Sequence, residues 1–138
     1  MIDERDIDRP AVRAEVEAAF AAYEAALTGN DVATLDRLFL NRDTTIRYGA
    51  GENLYGHGAI AAFRAARSPH GLARTLSGTV ITTYGADLAV ASTLFRRAGT
   101  PGKVGRQMQT WVRTPAGWRI AAAHVSIIAD PDQAAEST

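Results

Sequence analysis

The sequence contains no cysteine, which excludes a disulfide framework, a thiolate metal site and a cysteine nucleophile together. No apolar run approaches the roughly 18 residues of a membrane span. The N-terminus is acidic (Asp3, Glu4, Asp6, Asp8) and so unlike a signal peptide. The cytoplasm is therefore the expected compartment, with no membrane partner. Lysine is nearly absent too: fourteen of the fifteen cations are arginine. These arginines are scattered rather than massed on one helix, which argues against nucleic acid.

What is present describes a globular chain. Its 138 residues are 46% hydrophobic and 22% charged, a composition and length that suit one folded domain. The formal charge of zero hides an asymmetry. Residues 11–129 carry thirteen Arg or Lys against eight Asp or Glu, a net of +5. A GC-rich genome accounts for an arginine bias; the alternative is selection for a planar, bidentate carboxylate-binding side chain.

The first half reads as helix and the second as strand. Pro10 suits an early helical position; Val12, Val16, Phe20, Tyr23 and Leu27 recur at helical spacing until Gly29 stops them. A second helix is expected from Asn30-Asp31 to Phe39, and a third from Gly58 to Arg67 ahead of Pro69. Between them, residues 44–48 read as a strand leading into a Gly-rich loop, 49–56. Four strands follow near 73–84, 88–97, 104–114 and 117–128, with connections short enough to force antiparallel neighbours. Helices set apart from an antiparallel sheet make an α+β domain over 10–129. Residues 1–9 and 130–138 are expected as flexible arms.

Such a sheet, curved around its helices, encloses a pocket whose lining follows strand parity. Trp118, Ile120, Ala122, His124 and Ser126 share one face of the last strand; Gln107, Gln109 and Trp111 share one face of the strand before. Both faces of the last strand are mostly apolar, which predicts a helix layer on one side and a second subunit on the other. A homodimer through the sheet is the expectation.

The order helix–helix–strand–helix followed by four strands, ending on Gly117-Trp118-Arg119-Ile120, resembles the NTF2-like (SnoaL-like) cone fold. Further segments are similar to its AtzH-like branch: Ile46-Arg47-Tyr48-Gly49, Gly51-Glu52-Asn53-Leu54-Tyr55-Gly56, Ile60-Ala61-Ala62-Phe63-Arg64, Gly105 through Arg113, and Ala122-Ala123-His124-Val125-Ser126. AtzH-like chains carry a small residue where this one has Met108, a departure on the face opposite Gln107 and Gln109. The resemblance implies three N-terminal helices on a curved sheet. It also implies company with amidases in ureide and s-triazine breakdown, and decarboxylating amidohydrolase activity on N-carboxylated ureas or amides of the 1,3-dicarboxyurea type.

The candidate site residues each carry a second, structural reading. Tyr23 is either a core tyrosine or, as the resemblance implies, a functional phenol donating to a developing oxyanion or a leaving nitrogen. Arg47 lies between the large apolar residues Ile46 and Tyr48 and needs an anion; Glu52 is the protein partner, a substrate carboxylate the functional one. Arg64 is a solvated helix edge or a second cationic contact, and Arg67 is read as solvated. Gln107 and Gln109 read as substrate-orienting amides. His124 is a hydrogen-bonded core residue or, with Ser126, part of the pocket. Trp111 and Trp118 read as core walls.

Three histidines without ligand spacing (His57, His70, His124) give no metal site, and Gly49-Ala50-Gly51 is no nucleotide fingerprint, so no cofactor is expected. No acid falls on the inferred pocket face. That disfavours carbon-acid isomerases and dehydratases, which need an interior base. The function expected is a metal-independent hydrolase with catalytic Tyr23 and Arg47 and substrate contacts from Arg64, Gln107, Gln109, His124 and Ser126. The alternatives are a non-catalytic carboxylate-binding or amidase-accessory protein and, ranked lower, a SnoaL-like cyclase or isomerase.

Overall fold

A computed structural model describes residues 1–136, with side chains to Gln133. Helix α1, Pro10–Thr28, has proline in its first turn and buries Val12, Val16, Phe20, Tyr23, Ala26 and Leu27. Helix α2, Val32–Leu38, starts on Asp31, whose side chain accepts from the Thr34 N–H at 3.2 Å. Then come β1, Ile46–Tyr48, β2, Asn53–Tyr55, and helix α3, His57–Ala66. Strands β3, Thr75–Tyr84, β4, Leu88–Arg96, β5, Lys103–Thr114, and β6, Gly117–Ala129, complete the sheet before a terminal helix α4, Pro131–Glu136.

The fold is α+β, as the element order implies. One curved, unclosed six-stranded sheet has the order β2-β1-β6-β5-β4-β3. Strands β3 to β6 form an antiparallel meander. Strand β1 lies parallel to β6 and extends it through β2, a short strand inside the Gly-rich stretch that the sequence does not signal. Helices α1 to α3 cover one face. Beneath them Val16, Leu35, Phe39, Ile60, Trp111 and Ile120 are fully buried, each large side chain stabilising the fold by about 1.5–3 kcal/mol. Trp111 and Trp118 are the core walls expected of them.

The parity expected of the last strand fails half-way along. Thr110 pairs with Ala122 but Trp111 pairs with Ile120, so β6 carries one extra residue, Ala121, opposite β5. A bulge of this kind advances the strand by one residue and exchanges its faces. Trp118 and Ile120 face the helices before it; Ala123 and Val125 do so after it. His124 and Ser126 are thereby turned to the outer face, not into the pocket.

The terminal segments differ from loose arms over most of their length. Asp3–Asp6 make a capped helical turn. The Asp8 N–H donates to the Thr83 carbonyl at 2.9 Å, and the Thr83 N–H donates to the Asp8 carboxylate at 3.0 Å. At the other end Asp130 is buried and receives two hydrogen bonds from Arg96, at 2.6 and 3.1 Å. The last two residues of the expected tail, 137–138, lie outside the described residues.

Candidate functional site

Between α1, α3 and the concave face lies a cavity of about 210 Å³, room for on the order of seven waters. Apolar side chains make up half of its lining, and arginine dominates the polar half: Arg47 from β1, Arg64 and Arg67 from the end of α3, Arg74 from the approach to β3, and Arg97 from the end of β4. Three of these have a carboxylate. Arg47 donates to Glu52 at 2.7 Å, Arg64 to Asp36 at 2.5 Å, and Arg74 grips both oxygens of Glu24. Among the described residues no carboxylate pairs with Arg67 or Arg97.

Arg67 is the more exceptional of the two. Its Nε and Nη2 are buried and have no hydrogen-bond partner among the described residues. Burial, with Arg64 beside it, pushes the Arg67 pKa down; burial, with Arg74 beside it, does the same to Arg97. A guanidinium does not lose its proton in the physiological range, so the repulsion within this cationic cluster is not removed by deprotonation. Aromatic faces supply part of the compensation meanwhile. The Arg74 and Arg97 guanidinium carbons lie 4.5 and 4.7 Å from the Phe95 ring centroid, and that of Arg64 lies 5.0 Å from Phe39.

Polar neutral groups complete the wall. Tyr23 is buried, with its ring edge-on to Phe39 at 6.4 Å. Gln107 accepts from the Arg74 Nη2 at 3.0 Å through Oε1, while its Nε2 is buried without a partner. Glu52 reaches the cavity because Gly49 has no side chain: a Cβ there would stand 1.7 Å from the Glu52 Oε1.

The structure thus brings Tyr23, Arg47, Arg64 and Gln107 to one cavity and leaves out three residues expected there. Gln109 is buried, but its Oε1 accepts from the Trp111 indole at 3.1 Å, so it satisfies the core and does not line the cavity. His124 is exposed on the outer face, 5.9 Å from the Tyr48 ring. Ser126, also outward, accepts from Arg106 at 3.1 Å. The Ala121 bulge is the physical reason for both displacements.

Three further readings change. Arg67 is not a solvated helix edge, Glu52 places an acid on the wall where none was expected, and Arg74 and Arg97 join the site. Arg97 was accessible to parity, since it continues the inward series Ala89, Ala91, Thr93, Phe95. Arg74 precedes its strand in a loop and carries no periodic signal.

Comparison with known families sets this geometry in context. The AtzH-like family model matches residues 5–131. The chain belongs to the AtzH-like family. Among solved structures it is similar to a DUF3225-family protein of unknown function from Pectobacterium atrosepticum, at 60% identity and a TM-score of 0.91, covering 94% of this chain and 100% of that one. A cystatin-like fold protein from Burkholderia xenovorans shares 47% identity with a TM-score of 0.87, over 91% of this chain and 98% of its own. An NTF2-like protein of unknown function from Pseudomonas putida, at 18% identity and a TM-score of 0.70 over 86% and 87% of the two chains, shows the shared fold alone. No functionally curated protein matches.

For this AtzH-like protein the cone fold therefore stands, and the site must supply the function. Its cavity offers donors in excess, a buried phenol and one acid already held by Arg47. Such an arrangement is complementary in charge to a small anion, and the phenol is its one neutral group acidic enough to donate a proton.

Proposed function

We propose that this protein is a small-molecule hydrolase of the decarboxylating amidohydrolase type, acting on N-carboxylated ureas or amides in ureide or s-triazine breakdown. The observation that carries the proposal is the charge of the cavity: five arginines against three partner carboxylates, in a space of about 210 Å³. Only a small substrate of opposite charge completes such a wall. A polyketide or steroid, mostly apolar and larger, does not, so the cyclase reading falls behind.

The chemistry asks little beyond positioning. As the bond between nitrogen and the carboxyl carbon breaks, its electron pair stays on nitrogen and carbon dioxide departs. The nitrogen takes a proton from the Tyr23 hydroxyl, and the phenolate regains one from water. Arg47, whose charge Glu52 already offsets, orients the departing group without locking it in place. That matters because a strong cation on a carboxylate about to lose its charge would stabilise the ground state more than the transition state. Arg64 adds positive potential from behind its Asp36 pair.

The second reading is a carboxylate-binding or amidase-accessory protein. It draws support from the outer sheet face, where Ile46, Tyr48, Val90, Met108 and His124 line an open apolar groove. The same sheet face supports a homodimer, with Met108 in the groove and exposed Val80 and Leu88 outside it as contacts. The cytoplasm remains the proposed compartment, consistent with a chain free of cysteine.

The deciding experiment follows carbon dioxide release from N-carboxylated ureas, alongside the thermal shift given by malonate. Turnover with a malonate shift supports the hydrolase. A malonate shift without turnover on any carboxylated urea or amide transfers the site to the binding reading. No shift with any small carboxylate overturns both.

A further inference from the structure

Three groups in the cavity share an unusual condition: they are donors that the protein leaves unanswered. Arg67 has two buried nitrogens without partners, Arg97 has no carboxylate among the described residues, and Gln107 has a buried Nε2 without a partner. The Gln107 orientation is not free. Arg74, only 2% exposed and held by both oxygens of Glu24, donates to the Gln107 Oε1 at 3.0 Å. With its acceptor engaged there, the amide is obliged to turn its NH₂ away from Arg74, as a donor.

We infer that Arg67, Arg97 and Gln107 form a seat for the carboxylate that the substrate keeps through the reaction, distinct in role from Arg47, which orients the one that leaves. The inference rests on the proposed function and adds which residues hold the second carboxylate of a doubly charged substrate: one sits in the seat and the other leaves. Two uncompensated guanidinium groups and one amide donor supply fork-shaped recognition that a carboxylate satisfies and a neutral amide does not. A retained carboxylate also keeps its full charge in the transition state, so tight binding there costs no rate. Arg74 and Glu24 are positioning residues, acting on the ligand through Gln107.

The geometry separates the seat from the Arg47 pair in compensation as well. Arg47 meets an acid at 2.7 Å. Arg67 and Arg97 instead sit among other cations, with Arg64, Arg47 and Arg97 acting against the charge of the first and Arg74 against that of the second, where Glu24 opposes it only in part from its place on Arg74. An anion bound among them relieves this repulsion, which binding at Arg47 alone would not.

The test uses an isosteric pair, malonate and its monoamide malonamate, with binding measured by calorimetry on wild type, Arg67→Gln, Arg97→Gln and Gln107→Leu. The expected result is malonate binding at least tenfold tighter than malonamate in wild type. That discrimination should fall to threefold or less in Arg67→Gln and Arg97→Gln, with malonamate affinity little changed. Gln107→Leu should weaken both ligands. Far-ultraviolet circular dichroism confirms folding; if Arg67→Gln fails it, Arg97→Gln, altered at the half-buried end of a strand, carries the comparison. Wild type that binds neither ligand overturns the anion pocket and the seat with it. Wild type that binds malonate and malonamate equally, or arginine variants that keep the discrimination, overturn the seat and leave the proposed function standing.

Discussion

Gly105 on β5 stands opposite Phe95 on β4, and a methyl group at Gly105 would come within 2.0 Å of the Phe95 Cζ. The glycine is there so that the ring can lie flat against the neighbouring strand. That ring in turn supports the guanidinium groups of Arg74 and Arg97. A backbone atom's worth of space on β5 thus governs two cations of the cavity. Gly105→Ala is expected to cost about 1–3 kcal/mol through overpacking and to weaken malonate binding at least fivefold. Denaturant unfolding and calorimetry read the two effects. Unchanged malonate binding in a folded Gly105→Ala protein would separate the ring from the site.

Glu52 occupies the Arg47 guanidinium at 2.7 Å, so under the proposed function it competes with the substrate carboxylate. Replacing it by Gln keeps an oxygen for Arg47 but raises the uncompensated positive charge of the cavity by one. Malonate affinity should rise, by about threefold to tenfold, and its decline with added salt should steepen. The pair is partly exposed, 16% and 23% for its two side chains, so the stability loss should stay near 1 kcal/mol or below. Weaker malonate binding in Glu52→Gln would show that Glu52 shapes Arg47 and does not compete for it.

The outward position of His124 makes a plain prediction. His124→Ala should change stability by no more than about 0.5 kcal/mol and leave turnover within twofold of wild type. Deleting Ala121 should do the opposite: without the bulge, Val125 and Ile127 turn out and His124 and Ser126 turn in, beneath the helices. Thermal melts of the two variants distinguish these cases. A His124→Ala protein that folds but loses turnover would return the histidine to the site.

These residues also mark where the sequence was legible. Helix spacing located Tyr23, and the residues flanking Arg47 marked it as a cation in need of an anion, because both signals are local and periodic. Parity carried Gln107 to the cavity correctly, since β5 pairs with β4 without interruption. It failed for His124 and Ser126 because a single extra alanine, chemically silent in the run Ala121-Ala122-Ala123, exchanges the two faces. Arg74 was hidden for another reason. It meets Glu24 across fifty residues of chain, and no local pattern reports a contact of that kind.

Asp130 ties the C-terminal end to β4, and the hydrogen bonds from Arg96 hold its carboxyl below the ordinary value of 3.8, more strongly than burial raises it. A folded-state pKa that is depressed contributes stability above the unfolded value. That contribution disappears as the pH falls through the folded value. Melting midpoints should therefore drop in wild type as the pH falls below the ordinary carboxylate value of 3.8, and Asp130→Asn should flatten this acid limb while lowering the plateau at neutral pH. Identical acid limbs in the two proteins would assign the acid sensitivity to other carboxylates.

Tyr23 offers the sharpest separation of binding from catalysis. Its hydroxyl is the one uncharged acid among the polar groups of the wall, which otherwise are guanidinium groups, a glutamine and an acid paired to Arg47. Guanidinium does not give up its proton, and an amide is a far weaker acid than a phenol, so under the proposed function proton delivery to a leaving nitrogen falls to Tyr23. Tyr23→Phe removes one oxygen from a buried ring packed edge-on against Phe39 and leaves that packing intact. Turnover of an N-carboxylated urea should fall by about 10²–10⁴, while malonate binding stays within threefold. The loss should appear in kcat, not in KM, because the proton moves only as the bond breaks. A Tyr23→Phe enzyme that keeps its kcat would assign the proton to water admitted to the cavity and reduce Tyr23 to a wall.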